Sequence, residues 1–239
     1  MAASAIPEAR DVLAAVDRIR NPSDSFRFVN SLVEYRHGVE DDRLSLQVYS
    51  KLDPNTAQYR NLARYEKPPR DAGKMFLMNG NVMWFYDPAA SAKIRISPQQ
   101  RLIGQASNGD VLSVNLAKDF QAEMIGEEAV TDGDRKRRQT WHLNLTAASA
   151  GAIYARVEYW VEVDTNYPVK ARFYSDSGRK LKVAYYLDYK PQLGGIRPTE
   201  VIIVDEVDAS LVTRMTFSGY EKLPIPESWL TYEFLGRLP

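Results

Sequence analysis

Cysteine is absent from the 239 residues, which excludes disulfides, thiolate metal sites, cysteine nucleophiles and a lipidated N-terminal cysteine. Histidine occurs only at positions 37 and 142. His37 stands beside Gly38 in a turn pattern and His142 on the polar side of a strand pattern, so both read as surface residues. No G-x-S-x-G elbow, Walker A loop, G-x-G-x-x-G or H-E-x-x-H is present. The chain therefore reads as a protein without catalysis, cofactor or metal. Neither sign of charge is in excess, with 31 Lys plus Arg against 31 Asp plus Glu. That leaves no electrostatic footprint for nucleic acid or an anionic surface. No apolar run approaches the roughly 20 residues that span a bilayer.

What is present is ordinary globular material, 44% hydrophobic and 26% charged, enough for a full core in a single domain over residues 1–239. The clearest local signal is a hairpin. Lys74–Met78 and Asn81–Tyr86 are β-rich runs separated by Asn79-Gly80, which favours a two-residue type I′ turn. That turn places Leu77 opposite Val82, Phe76 opposite Met83 and Met75 opposite Trp84. One face then carries Met75, Leu77, Val82, Trp84 and Tyr86. The other mixes Phe76, Met78, Met83 and Phe85 with Lys74 and Asn81. The wholly apolar face is expected inside.

Ser4-Ala5-Ile6-Pro7 reads as a helix opening, and Ala9, Val12, Leu13, Val16 and Ile19 recur at helical spacing until Asn21-Pro22 ends the pattern. Strand patterns follow at Phe26–Arg36, Arg43–Asp53, Gln58–Glu66 and Lys93–Ile96. After the polar loop Ser97–Asp110, the stretch Val111–Lys118 fits a helical turn or irregular structure equally. Seven more strands are expected: Phe120–Glu128, Arg137–Ala147, Ile153–Asp164, Pro168–Ser175, Lys180–Lys190, Thr199–Asp208 and Leu211–Tyr220. A short helix over Pro226–Leu235 would close the chain. Consecutive hairpins with helices mainly at the ends imply one strongly curved or nearly closed antiparallel sheet.

The faces of these strands separate into wet and dry. Val157, Tyr159 and Val161 oppose Arg156, Glu158 and Glu162. Leu143 and Leu145 oppose His142, Asn144 and Thr146; Leu181, Val183 and Tyr185 oppose Lys180 and Lys182. Two short helices cover too little of so wide a dry face, leaving a surplus to line a cavity. Ser107-Asn108-Gly109-Asp110 reads either as a ligand loop or as an Asx turn that caps the following segment through Asp110. The basic run Arg135–Arg138, beside Asp132 and Asp134, reads as a solvated turn. The start MAASAIPEAR fits the mature side of a removed signal peptide joined to an added Met1, and equally a native cytosolic start.

Several of these segments together resemble a known family. They are Gly73-Lys74-x-x-Leu77-x-Asn79-Gly80, Met83-Trp84-Phe85-Tyr86-Asp87-Pro88 and Ile96-Ser97-Pro98-Gln99-Gln100-Arg101-Leu102-x-Gly104-x-Ala106-Ser107-Asn108-Gly109-Asp110. Weaker matches are Asp17-x-Ile19-Arg20-Asn21-Pro22, Glu127-Glu128, Ser177-Gly178-x-x-Leu181-Lys182, Arg197-Pro198-Thr199-Glu200 and Ile225-Pro226-x-x-Trp229. The chain is similar to the LolA-like periplasmic outer membrane lipoprotein-sorting family, within the wider LolA/LolB/RseB superfamily. The resemblance implies an incomplete antiparallel β-barrel with helices as a lid over a hydrophobic cavity. It also implies export by a removed signal peptide and a soluble periplasmic location in a Gram-negative bacterium. The lid arginine known in the family has no matching position, and the Ser-Pro-Gln-Gln-Arg-Leu loop belongs to a branch whose cargo is open.

The resulting expectation is a lipid carrier or chaperone that delivers lipoprotein acyl chains, or another lipid, toward the outer membrane. Its partners would be an inner-membrane transporter and an outer-membrane acceptor. Met75, Leu77, Val82, Trp84, Tyr86, Leu143, Val157, Tyr159, Leu181 and Val183 would line the acyl pocket, with helix 6–20 and loop 97–110 near its mouth. The alternatives are an RseB-like sensor or adaptor, and a structural β-domain that binds no ligand.

Overall fold

The computed structural model describes residues 6–237. Helix α1 (Ala9–Arg20) precedes six strands in consecutive hairpins: β1 (Phe26–Arg36), β2 (Val39–Leu52), β3 (Tyr59–Lys67), β4 (Met75–Asn79), β5 (Val82–Asp87) and β6 (Ala92–Ile96). A crossover over residues 97–119 contains a small ribbon, β7 (Arg101–Ile103) with β8 (Ala106–Ser107), and the one-turn helix α2 (Leu116–Asp119). Seven strands return: β9 (Phe120–Thr131), β10 (Arg137–Ala147), β11 (Arg156–Glu162), β12 (Pro168–Tyr174), β13 (Lys180–Gln192), β14 (Gly195–Asp205) and β15 (Leu211–Lys222).

All but the ribbon form one curved antiparallel sheet, β6-β5-β4-β3-β2-β1-β15-β14-β13-β12-β11-β10-β9. The chain builds outward from β1 to one edge, crosses to the opposite edge, and works back until β15 pairs with β1. Asn30 lies opposite Phe217 and Leu32 opposite Met215 at that seam. The edge strands β6 and β9 do not pair, so the barrel stays incomplete. The crossover that joins the two edges passes over the concave face.

Of the expected helix opening, Ser4 and Ala5 lie outside the described residues, and α1 begins at Ala9. It turns Ala9, Val12, Leu13 and Val16 onto the concave face of the β9–β12 half. Arg197 of β14 donates from Nη1 to the carbonyl oxygens of Arg18 and Ile19 at 3.0 and 2.7 Å. These bonds satisfy carbonyls that every helix end leaves free. The expected C-terminal helix is only a 3-10 turn, Glu227–Leu230.

The hairpin expectation needs two corrections. Its turn is Gly80-Asn81, so Leu77 pairs with Trp84, Met75 with Tyr86 and Asn79 with Val82. Only Gly80 has positive φ (60°), which excludes type I′. The pairing is displaced by two residues, and an even displacement preserves the faces. Met75, Leu77, Val82, Trp84 and Tyr86 do share one. That face, however, is the outer one. Met75 and Leu77, fully buried, pack with Leu62, Ile225, Leu230 and Leu235 beneath the C-terminal segment, and Trp84 and Tyr86 join them. Trp84 meets Tyr232 edge-on at 4.7 Å and Tyr49 meets Trp229 at 5.6 Å. The concave side instead receives Phe76, Met78 and Met83. Each of Met75–Met78 is buried, and a strand covered on both faces has no alternation to report its inside.

A candidate lipid cavity on the concave face

Two apolar clusters cover the concave face. One centres on β1, β2 and the strands flanking them, with Phe26, Phe28, Leu32, Leu46 and Met215. The other lies under α1, with Leu13, Leu143, Leu145, Val157 and Tyr159. The crossover runs between them, and polar side chains of the sheet hold its backbone. Glu34 on β1 accepts from Gly104 N at 3.1 Å, and Thr213 on β15 accepts from Gln105 N at 2.7 Å. Asn61 on β3 donates to Ser113 O at 2.9 Å and accepts from Ser113 N at 3.2 Å. Asn21, just past α1, donates to Val114 O at 2.9 Å.

Asp110 fastens the crossover through three donors to its carboxylate. Its carboxylate accepts from Lys182 Nζ on β13, from Tyr154 Oη at 2.7 Å and from Ser107 N at 2.7 Å. Lys182 Nζ also donates to Gln105 O at 2.8 Å. The Asp110 carboxylate points back to Ser107 N and closes the 107–110 turn from within, instead of capping the segment that follows as the Asx-turn reading expected. Buried polar groups placed so far from the surface persist only when paired, and these pairs replace a strand ladder the crossover does not have.

Where the two clusters meet they leave a cavity of about 120 Å³. Its wall takes Phe26 and Phe28 from β1, Val111–Val114 from the crossover, Val157 and Tyr159 from β11, Tyr186 from β13, and Phe217 and Tyr220 from β15. Phe28 and Tyr220 stack at 5.3 Å, and Tyr159 and Tyr186 lie tilted at 5.8 Å. Burial raises the Tyr159 and Tyr186 hydroxyls above their ordinary range and pushes Tyr220 up to about 12, so all three stay neutral. Three charged side chains reach the wall: Arg20, Asp110 and Asp119. Asp119 accepts from Gln58 Nε2 at 2.9 Å and Ser149 Oγ at 2.7 Å, and burial raises its pKa. Asp17 lies behind Arg20 at 3.9 Å and accepts from Leu116 N and Ala117 N at 3.0 and 2.8 Å. Burial pushes Asp17 up to about 6. A groove of about 690 Å³ beside Asp17, Asn21 and Arg197 shares Asn21 with the cavity and opens outward.

Of the ten residues expected to line a pocket, Val157 and Tyr159 lie in the wall of this cavity. Leu143 is buried in the cluster under α1, and Leu181, half-buried, packs against it. Val183 faces outward: its neighbours Lys182 and Ala184 are the inward residues of β13. The five hairpin residues lie on the opposite side of the sheet. Sequence reasoning passed over Arg20, the Val111–Val114 stretch and the β1–β15 aromatics. The one available signal was in β1, where Phe26, Phe28, Asn30, Leu32 and Glu34 alternate as a buried set. Polar Asn30 and Glu34 in an apolar register announce an internal partner.

The histidines lie away from this cavity. His37 is exposed in the β1–β2 turn. His142 stacks on Trp160 at 4.6 Å with Nδ1 3.2 Å from Glu128, and burial lowers its pKa. It is half-buried, more enclosed than the surface position expected. Arg135–Arg137 are exposed, while Arg138 is tied to Asp132 and Glu162. Among the described residues no group of three or more His, Asp or Glu could hold a metal, and no helix is long and apolar enough to cross a membrane.

Comparison with known proteins agrees with this architecture. A family model described as an uncharacterized protein matches residues 57–237. The crystal structure of a LolA superfamily protein, NE2245 from Nitrosomonas europaea, is 30% identical, with a TM-score of 0.85 over 96% of this chain and 100% of that one. A domain described as an outer membrane lipoprotein-sorting protein, from Vibrio parahaemolyticus, shares the fold at 16% identity and TM-score 0.77, over 96% and 98% of the two chains. A DUF1329 family protein from Desulfovibrio piger does so at 21% identity and TM-score 0.79, over 95% and 97%. No curated protein matches.

Proposed function

The chain belongs to the LolA superfamily, and from that premise we propose that it is a lipid-binding carrier of the periplasm, not an enzyme. Its cargo would be an acyl chain, on a lipoprotein or another lipid, taken up on the concave face and passed toward the outer membrane. The observation that carries this reading is the apolar cavity at the junction of the two concave clusters. A domain that needed only stability would close that junction with side chains, because interiors pack to crystal density. Here the packing is interrupted beneath a crossover held by discrete polar bonds.

The energetics suit exchange. Each methylene leaving water gains about 0.8 kcal/mol, so a long acyl chain gains on the order of 10 kcal/mol, which a carrier must match without exceeding. The cavity seen here, about 120 Å³, is comparable to one that holds a benzene ring. A long chain would have to displace part of the crossover or α1 to enter. That reorganisation would offset part of the gain and keep release to an acceptor feasible.

Solvent extraction of the purified protein followed by lipid mass spectrometry, together with uptake of a fluorescent fatty acid, tests the proposal. Copurifying lipid at near one per chain is expected. The absence of both copurifying lipid and uptake would sink it. Transfer of bound lipid to acceptor vesicles separates carriage from sensing.

A further inference from the structure

We propose that the cavity selects an amphiphile with an anionic head, a carboxylate or phosphate monoester on an apolar chain, and that Arg20 binds that head with the Tyr159 hydroxyl as second donor. This rests on the lipid-binding reading of the same cavity and adds the chemistry of the ligand.

Of the charged side chains in the wall, Asp110 and Asp119 are each held by hydrogen-bond donors. Arg20 is not. Its Nη1 is buried without a hydrogen-bond partner among the described residues, and so is the Tyr159 hydroxyl; both residues line the cavity. The Arg20 side chain is 19% exposed and always charged. Asp17 is the nearest carboxylate, at 3.9 Å, and its two oxygens already accept the N–H groups of Leu116 and Ala117.

A cation in an apolar wall is costly, and its nearest carboxylate, Asp17 at 3.9 Å and already engaged by two N–H groups, offsets that cost only in part. An entering anion in hydrogen-bond contact would offset more. The planar guanidinium fork matches two oxygens of a carboxylate or phosphate, and Tyr159 donates a further bond. An ester- or amide-linked acyl chain brings only a neutral carbonyl, a weaker acceptor. At about 120 Å³, roughly four water volumes of about 30 Å³ each, the cavity admits the head and first carbons. The remaining chain needs the Val111–Val114 stretch to give way.

The test titrates the purified full chain at pH 8, without vesicles, with cis-parinaric acid and with its neutral methyl ester. Dodecanoate, dodecyl phosphate and acetate then compete against the acid. The acid should bind at least about tenfold more tightly than the ester, as charge-assisted pairing requires. Arg20→Met should bind both as wild type binds the ester, Arg20→Lys should keep part of the preference, and Tyr159→Phe should weaken the acid alone. Both long-chain anions should compete and acetate should not; the stronger competitor identifies the head. Equal wild-type affinities, or a preference that survives Arg20→Met, overturn head recognition while leaving lipid binding intact. Failure of both probes on the wild-type protein overturns the carrier reading itself. Loss of ester binding in Arg20→Met marks misfolding, and Arg20→Lys and Tyr159→Phe then decide.

Discussion

Lys182 on β13 and Asp110 in the crossover, 72 positions apart in the chain, form an ion pair beneath the sheet, their side chains 6% and 11% exposed. The pair fastens the strip of chain that divides the concave face, and it explains a lysine inside the sheet. Lys182→Met should leave the Asp110 carboxylate buried with only Tyr154 and Ser107 as donors, costing about 3–5 kcal/mol. Urea unfolding measures this. The double variant Lys182→Met/Asp110→Asn should lose clearly less than the two single losses summed, and strict additivity would contradict the pairing.

The hairpin makes a second prediction, now with its faces reassigned. Phe76, fully buried in the concave cluster, should cost about 3–5 kcal/mol when replaced by Ala. Trp84→Ala removes the edge contact with Tyr232. It should raise hydrogen exchange and proteolysis over residues 225–235 while lipid uptake stays unchanged. Protection lost in the crossover instead would show the outward placement of Trp84 to be wrong.

Gly104 tests how closely the crossover lies on the seam. It has φ +52°, and a Cβ there would fall 2.2 Å from Thr213 Oγ1 and 3.2 Å from Glu34 Cγ. Gly104→Ala therefore combines backbone strain with collision against two residues that hold the crossover. A loss of about 1–3 kcal/mol in denaturant unfolding is expected.

Asp17 should titrate far from a free carboxylate. Burial pushes it from 3.8 up to about 6, so the folded state prefers its neutral form. Its contribution to stability is complete below about pH 4 and lost as pH rises through 6. The change amounts to about 3 kcal/mol. Carbon-detected NMR should place its midpoint near 6. The stability of wild type relative to Asp17→Asn should be greater at pH 4 than at pH 7, and a pH-independent difference would refute the assignment.

Much of the fold was legible because strand boundaries are local. β1 and β10 begin and end at the residues the patterns indicate, since turn chemistry and β-branched runs act over a few residues. The faces of β10 and β11 were legible too. Asn144, Arg156 and Glu158 lie outward, partly exposed, and solvent on one side makes alternation informative. On β13 the same reasoning failed. Val183 looks more apolar than Lys182, but Lys182 has a carboxylate partner inside, and no local pattern reveals a partner that distant.

The residues by themselves determined that the chain is a run of antiparallel hairpins with more apolar face than its helices cover, and that it resembles the LolA family. The tertiary structure decided which face became the inside. Alternation reports only that two sides differ. Which side is concave depends on where β15 meets β1, on the C-terminal segment covering the outer face of β4 and β5, and on the path that joins the two edges of the sheet. Those contacts link residues far apart in the chain, so their energies exist only once the sheet has curved. That Arg20 Nη1 lacks a hydrogen-bond partner among the described residues is likewise visible only there, because a donor is unsatisfied only with respect to everything folded around it.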